Sequence, residues 1–296
     1  MSSTQGAQMI AVLNRGECLK VMAGMPDNSV DMILADLPYG TTRCEWDSII
    51  PLDKLWAQYK RIAKENAAIV LTSDQPFTTA LIMSNIEEFR YCWTWKKGTP
   101  TGFMNAKRMP LKNLEDVCVF YRALPTYNPQ GITKVRSTRV NSIRKGGQTY
   151  GKTGLKDSKP YVQEATGYPG QLLPFAVEEG DLHPTQKPIG LMRYLIETYT
   201  NPGDVVLDNV MGSGTTGIAC ALTGRNFIGI EQNADYCKLS ERRIRAQMQP
   251  LAAFGPKHSK GDALKVIDHG DSPVRVQRGS VGAPRVVREM KKAAKR

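Results

Sequence analysis

Four consecutive residues, Asp36-Leu37-Pro38-Tyr39, place a carboxylate, a rigid turn and an aromatic ring directly after an apolar run over residues 32–35. A carboxylate and a neighbouring backbone carbonyl can accept both hydrogens of an amine, while a phenol ring can stack on a flat heterocycle. Proline restricts the turn, so these groups are held in place before a ligand arrives. The segment predicts a site for a heterocycle with an exocyclic amine, and its four residues are the candidate catalytic residues.

A glycine-rich turn forms the second group of chemically suggestive residues, within "DVVLDNVMGSGTTGIACALTGRNFIGIEQN". Gly212 and Gly214 allow the backbone to approach a ligand closely, and a helix beginning near Thr215 favours negative charge at its N-terminus. Glu231 ends the following strand, where a carboxylate can bind both hydroxyls of a ribose. The pattern predicts a nucleotide-type site. It is not a P-loop, because no Lys follows the final glycine.

Two classes of enzyme compete for this glycine turn. Residues 212–217 match the dinucleotide fingerprint G-x-G-x-x-G literally, which is a weak signal for a dehydrogenase. A dehydrogenase would usually carry this unit near its N-terminus and has no use for the segment at Asp36. A methyltransferase needs one pocket for S-adenosylmethionine and another for the acceptor amine. The two segments together favour a methyltransferase.

Alternating strand-like and helix-like segments must position these residues, and they predict an α/β fold with a parallel sheet covered on both faces. The strands are predicted over residues 30–35, 67–73, 91–97, 116–122, 204–210 and 227–232, and the helices over 51–66, 75–85, 188–200, 215–224 and 234–249. Trp93 and Trp95 alternate on one strand and are predicted to be core residues. Periodicity is lost over residues 122–182, and a basic tail with a short helical ending follows residue 250.

The net charge of +12 is concentrated in two segments that are poor in apolar residues. Residues 122–164 contain nine Lys or Arg and two acids, and residues 251–296 contain eleven Lys or Arg and four acids. Basic segments on an otherwise nearly neutral chain are typical of proteins that bind phosphates. For the second segment, a solvated tail without a partner is an equally good interpretation.

Several classes of protein are disfavoured by composition. No apolar stretch approaches the roughly 18 residues of a membrane helix, and the N-terminus does not read as a signal peptide. Six scattered cysteines and three histidines indicate buried thiols in a reducing compartment rather than disulfides or a metal site. No Pro is followed by Cys, which excludes the Pro-Cys nucleophile used to methylate carbon 5 of cytosine.

Four motifs, taken in order, resemble the amino-methyltransferases of DNA, specifically the circularly permuted group in which the catalytic motif precedes the cofactor motif. They are "RGECLKVMAGMPDNSVDMILADLPYG", its "DLPY" in the place of D-P-P-Y, "HPTQKP" and "DNVMGSGTT", and the resemblance covers roughly residues 10–245. It implies a Rossmann-like sheet flanked by helices and methyl transfer from S-adenosylmethionine to the N6 amine of adenine in duplex DNA. The initial Asp of the motif favours adenine, and cytosine N4 is the alternative.

The resemblance also implies roles for individual residues. Glu17 would meet the adenine of the cofactor and Lys187 would lie near its methionine end. The complete set of implied cofactor-binding residues is Glu17, Asp36, Lys187, Asp208, Gly212, Ser213, Gly214, Thr215 and Glu231, with no metal ligand. The chain departs from the family pattern at Asn209 and Val210, which replace Pro and Phe, at Glu17, where Asp is commoner, and at Leu37, where Pro is usual.

Organisation and partners follow from the same resemblance. It implies a methyltransferase domain over residues 1–249, a target-recognition region over 122–182 within it, and a basic tail over 250–296. The implied partner is duplex DNA with the target base flipped out, and the implied location is the cytoplasm. A homodimer and a companion restriction endonuclease stay open, as do an RNA or protein-amide substrate and a DNA-binding protein without catalysis.

Overall fold

A computed structural model describes residues 9–40, 48–140, 160–177, 186–248 and 263–270. The chain divides into two compact units. The larger comprises Met1–Asn128 and Gln171–Arg296, and the smaller comprises Pro129–Gly170. The smaller unit contains a two-stranded antiparallel sheet of its own. Its bounds lie inside the region predicted for target recognition.

Eleven strands and six α-helices occur in the described part of the chain. In chain order they are β1 (Ala11–Arg15), α1 (Cys18–Ala23), β2 (Val30–Asp36), α2 (Leu52–Ile62), β3 (Ala63–Ser73), α3 (Phe77–Ser84), β4 (Phe89–Thr101), β5 (Lys112–Phe120), β6 (Thr133–Val140), β7 (Pro160–Thr166), β8 (Leu172–Pro174), α4 (Ile189–Tyr199), β9 (Val205–Asp208), α5 (Thr215–Thr223), β10 (Asn226–Glu231), α6 (Ala234–Met248) and β11 (Leu264–Asp268).

Nine strands of the larger unit form one sheet in the order β11-β1-β10-β9-β2-β3-β5-β4-β8. All neighbouring pairs are parallel except β3–β5 and β4–β5, which are antiparallel. The predicted α/β sheet is therefore confirmed, but the prediction of a wholly parallel sheet is wrong. Only ten residues join β4 to β5, whereas a parallel connection requires a crossover of a dozen or more.

Two apolar layers cover the sheet, because successive side chains of a strand point to opposite faces. Met32 and Leu34 of β2 pack with α4, α5 and α6, whereas Ile33 and Ala35 pack with α1, α2 and α3. Strands buried on both faces read as continuous apolar runs, as the central strands do here. The carboxyl ends of β2, β9 and β10 therefore lie at one edge of the sheet, where Asp36, Asp208 and Glu231 are the last strand residues.

The boundary between α2 and β3 corrects one prediction. The helix predicted over residues 51–66 ends at Ile62, and Ala63 is already extended with φ −71° and ψ 138°. Ala63 pairs with Val30 of β2, so pairing in the sheet overrides the helix propensity of the segment "AKEN".

Two regions predicted to lack strands contain them. Strands β6, β7 and β8 lie within residues 122–182, and β11 lies within the predicted tail, where it pairs with β1 in parallel. The segments are short and carry few apolar residues, so their periodicity is weak. The helical ending predicted for the chain lies outside the described residues.

Cysteine burial agrees with the sequence prediction. Cys18, Cys118, Cys220 and Cys237 are buried free thiols and Cys92 is half-buried, while Cys44 lies outside the described residues. Within the described ranges, no helix is both long and apolar enough to cross a membrane. The same ranges contain no cluster of His, Cys, Asp or Glu suited to a metal ion.

Candidate active site

One cavity of about 1060 Å³ lies at the carboxyl ends of the central strands. It brings together both segments that the sequence singled out, 36–39 and 208–215, although about 170 residues separate them. Small-molecule sites commonly measure about 300–1,000 Å³, so this cavity is at the upper end of that range. The other predicted site residues at its wall are Glu17, Lys187 and Glu231. Gly214, which is not at the wall, shapes the turn beside it.

Asp36 is held by three side chains at the end of β2. Its Oδ1 accepts hydrogen bonds from the Tyr39 hydroxyl at 2.6 Å and from the Thr72 hydroxyl, and its Oδ2 accepts one from Lys187 Nζ at 2.8 Å. Thr72 is fully buried and stands opposite Asp36 in the pairing of β2 with β3. The sequence did not indicate Thr72, because only strand register brings it to the site.

Tyr39 is fixed by ring packing as well as by its hydroxyl. Its ring stacks on that of Phe77, with centroids 5.3 Å apart and planes inclined by 24°. Burial, with the neighbouring carboxylates Asp36 and Glu115, raises the pKa of the Tyr39 phenol well above its usual value. The hydroxyl therefore stays protonated and donates to Asp36. Leu37 buries its side chain beneath the turn, and Pro38 follows it at the cavity wall.

Lys187 occupies the centre of an ionic cluster. Its Nζ lies 2.8 Å from Asp36 Oδ2 and 3.4 Å from Glu115 Oε2, and the side chain is 6% exposed. Burial alone would lower the pKa of Lys187, but the charges of Asp36 and Glu115 more than compensate and the pKa is raised. Lys187 is thus a buried cation between two carboxylates, and the sequence analysis missed Glu115.

Trp93 and Trp95 are core residues, as predicted, with 3% and 2% of their surface exposed. The Trp95 indole N–H donates to the Phe175 carbonyl at 2.7 Å, and one edge of Trp95 lines the cavity. Lys187 Nζ lies 5.9 Å from the Trp95 ring centroid, within the range of a cation–π contact. Trp95 therefore forms part of the wall that surrounds the lysine.

The glycine turn has the geometry that the sequence predicted. Gly214 precedes α5 with φ +82°, and a Cβ there would lie 2.7 Å from Ser240 Cβ, so no other residue fits. Asp208 accepts hydrogen bonds from Thr216 Oγ1 at 2.7 Å and from the Val210 N–H at 3.1 Å. Burial raises the pKa of Asp208 to about 7. Asp208 thus ties the end of β9 to the first turn of α5.

Glu231 and Glu17 lie at the carboxyl ends of the neighbouring parallel strands β10 and β1, at the wall of the same cavity. The Gly212 N–H donates to Glu231 Oε2 at 3.0 Å, and burial raises the pKa of Glu231. Glu17 caps α1, because its carboxylate accepts from the N–H groups of Leu19 and Lys20 at 2.8 and 2.9 Å. Both carboxylates are fixed in place, and their contacts with a cofactor stay predictions.

Two buried polar atoms at the wall indicate that the cavity is built for a polar ligand. Thr215 Oγ1 and Asn209 Nδ2 make no hydrogen bond of normal geometry with any described residue. Asn209 Oδ1 accepts from the Tyr59 hydroxyl at 2.5 Å, so the amide is fixed and its N–H₂ group is left for a partner. Unsatisfied buried groups are rare and costly. Tyr59 is a further residue that the sequence did not indicate.

Comparison with known proteins identifies the class of this site. The sequence model of the DNA methylase family that methylates N6 and N4 amines matches residues 30–242. The chain belongs to this DNA methylase family. Family membership confirms the class that the four motifs predicted, a DNA methyltransferase that uses S-adenosylmethionine.

Individual relatives agree with this family. The chain is 30% identical to the Type II methyltransferase M2.MboI of Moraxella bovis over 256 residues, which cover 77% of this chain and 85% of that protein. It is 27% identical over 247 residues to the DNA adenine methyltransferase YhdJ of Escherichia coli (strain K12), covering 77% and 81%. The crystal structure of the M1.HpyAVI–SAM complex shares the fold, with TM-score 0.54, 24% identity and coverage of 79% and 100%.

Proposed function

We propose that this DNA methyltransferase acts on the exocyclic N6 amine of adenine in duplex DNA, at a specific sequence and with the base flipped out. The observation that carries the proposal is the fixed Asp36–Tyr39 segment in the same cavity as the glycine turn and Glu231. The relative named a DNA adenine methyltransferase supports adenine as the base. Cytosine N4 is the second candidate, because Asp36 and the Leu37 carbonyl can accept hydrogens from either amine.

The chain's own residues supply positioning and charge. An adenine amine is a poor nucleophile because its lone pair is delocalised into the ring. Asp36 and the Leu37 carbonyl would hold its two hydrogens, and a preorganised carboxylate stabilises the positive charge that the nitrogen acquires. Tyr39 would keep the base in line for the transfer. Bound S-adenosylmethionine supplies an electrophilic methyl group, and Asn209, Thr215 and Glu231 would hold it.

A surface next to the cavity supports a duplex substrate. Thr99 and Thr101 of β4 line the cavity, and the loop that follows presents the exposed side chains of Phe103 and Met104. Lys107 and Arg108 lie in the same exposed loop, so apolar and cationic groups adjoin the mouth. Flipping a base costs a few kcal/mol, and contacts of both kinds with an opened duplex would offset that cost.

Further parts of the proposal rest on the sequence. The smaller unit, Pro129–Gly170, carries exposed Lys134 and Arg136 and is our candidate for target recognition. A DNA substrate implies a location with the genome in the cytoplasm. A homodimer and a companion restriction endonuclease stay predictions from the family resemblance.

Single-molecule sequencing of DNA from expressing cells tests the proposed reaction. We expect N6-methyladenine within one short sequence in cells with the wild-type protein, and none with Asp36→Ala. Asp27→Ala removes a carboxylate that pairs with Arg61 outside the cavity, and this control should leave methylation unchanged. Detection of N4-methylcytosine would favour the second candidate, the cytosine N4 amine, over adenine. Unmodified DNA from cells that contain folded wild-type protein would refute both candidates.

A further inference from the structure

Glu115, on β5, is a largely buried carboxylate that forms an ion pair with Lys187, as Asp36 does. Its side chain is 11% exposed and its Oε1 pairs with Lys97 Nζ. Its Oε2 is buried and makes no hydrogen bond of normal geometry with any described residue, although Lys187 Nζ lies 3.4 Å away. A buried carboxylate oxygen without a donor is costly. Glu115 Oε2 can therefore accept a hydrogen bond from a donor that moves towards it.

Asp36, in contrast, accepts hydrogen bonds at both of its oxygens. Tyr39 and Thr72 both donate to Oδ1, and Lys187 donates to Oδ2. A substrate amine that donates to Asp36 Oδ2 has to share that oxygen with the Lys187 ammonium. Tyr39 and Thr72 are fixed by ring stacking and by a buried strand, respectively. Lys187 is the donor that can move.

The position of Lys187 conflicts with the base in a second way. Its Nζ lies 5.6 Å from the centroid of the Tyr39 ring, on which the base would stack. A base that both stacks on Tyr39 and donates to Asp36 needs the space that this ammonium occupies. One movement of Lys187 away from Asp36 would satisfy both requirements.

We propose that Glu115 is a positioning residue that receives the Lys187 ammonium when the substrate amine takes Asp36 Oδ2. The inference deepens the proposed function and rests on it. The ammonium stays paired throughout, which matters because an unpaired buried charge costs several kcal/mol. This transfer of the Lys187 ammonium from Asp36 to Glu115, the hand-over, also leaves the charge of Asp36 facing the nitrogen that becomes cationic. Lys187 would otherwise neutralise that charge.

Lys97 gives the cluster an internal control. It neutralises Glu115 from the side opposite Lys187, through Oε1. Removing the Lys97 charge leaves Glu115 a stronger partner for Lys187, while removing the Glu115 charge leaves Lys187 held by Asp36. The two substitutions disturb the same cluster but act on the hand-over in opposite directions.

Steady-state kinetics of three variants test the role of Glu115. We expect Glu115→Gln to lower kcat for duplex methylation by about ten-fold or more, the loss typical of one misplaced electrostatic group. The KM for DNA should change little, because phosphate contacts dominate duplex affinity. Glu115→Asp keeps the charge and should recover part of the rate, whereas Lys97→Gln leaves Glu115 a stronger partner for Lys187 and should not lower kcat.

Three results would overturn the inference. They are an unchanged kcat in Glu115→Gln, a fall in Lys97→Gln as large as that in Glu115→Gln, and a loss expressed in KM alone. Because the Lys97→Gln and Glu115→Asp variants give separate readings, a Glu115→Gln protein that fails to fold does not remove the test. Wild-type protein that methylates no exocyclic amine refutes the proposed function itself, whereas an active wild type with an equally active Glu115→Gln refutes only the role of Glu115.

Discussion

Asp208 is a carboxylate whose charged form the fold disfavours. It is 4% exposed, and the two groups that donate to it, Thr216 Oγ1 and the Val210 N–H, do not offset the burial that raises its pKa to about 7. In the unfolded chain the pKa returns to the ordinary 3.8, so the folded state binds this proton more tightly. The contribution of Asp208 to stability is therefore present at pH below about 4 and is lost as pH rises to about 7.

Asp208→Asn should remove this pH dependence. Relative to wild type, the free energy of unfolding of the variant should increase between pH 4 and pH 8 by up to about 4 kcal/mol, since each pKa unit corresponds to about 1.4 kcal/mol. Urea denaturation at a series of pH values measures it. Asp268→Asn is the control, because the hydrogen bond from Arg15 lowers the pKa of Asp268 and the expected slope has the opposite sign. Parallel curves for wild type and Asp208→Asn would contradict the burial argument.

At the same scale, local motifs predicted some site residues and missed others. Local motifs predicted Asp36, Tyr39 and Gly214, because the residue types and the spacing that identify them lie within a few positions in the sequence. They did not predict Thr72 and Glu115, since Thr72 reaches Asp36 only through the register of β2 with β3, and Glu115 reaches Lys187 only through the antiparallel placement of β5. Strand register is a tertiary property, which is why a single sequence could not supply these partners.

Among the elements, β11 supports the edge of the sheet next to the cofactor pocket. It runs parallel to β1, Leu264 is 3% exposed, and Asp268 forms an ion pair with Arg15 at 2.8 Å. Directly after the strand, His269 packs closely against Gly16. A Cβ at Gly16 would lie 3.2 Å from the His269 Cβ. Gly16 precedes Glu17, so β11 restrains the turn that places Glu17 at the cavity.

Two truncations separate the role of β11 from that of the residues beyond it. Deleting 263–296 should lower Tm by several °C, because burial of a leucine alone contributes about 1.5–3 kcal/mol and each kcal/mol corresponds to about 2–4 °C in a chain of this size. Deleting only 271–296 retains β11 and should leave Tm unchanged. Differential scanning calorimetry of both proteins decides the matter, and equal Tm values would contradict a supporting role for β11.

Sequence patterns predict the helices and strands less accurately at their ends. The patterns of β2, β3, β9 and β10 and of α4 to α6 placed these elements within a few residues, whereas β1 and α1 were not predicted. The end of α2 was misplaced because residues 63–66 suit a helix, but they belong to β3, in which Ala63 pairs with Val30 of β2. Strand β11 has five residues, and three of them, Lys265, Val266 and Asp268, are exposed, so its pattern could not be distinguished from that of a tail.

Over the whole molecule, the excess positive charge lies in sequence segments other than those that line the cavity. The cavity wall carries the carboxylates Glu17, Asp36, Asp208 and Glu231, which suit a cationic cofactor but repel phosphates. The excess Lys and Arg lie over residues 122–164 and 251–296. The basic segments are therefore separate in the sequence from the residues that line the cavity.

Replacing the eight Lys and Arg of residues 271–296 by Gln should weaken DNA binding and its dependence on salt. Each phosphate contact contributes about 0.9 to the slope of log K against log salt concentration, so loss of three or more contacts should reduce that slope by about 3. Fluorescence anisotropy with one duplex at several salt concentrations measures it. A second protein, with eight uncharged residues of the same tail replaced, should keep the wild-type slope. If the protein that lacks these eight Lys and Arg keeps the wild-type slope, the segment is a solvated tail. The phosphate contacts then have to come from the basic residues of 122–164.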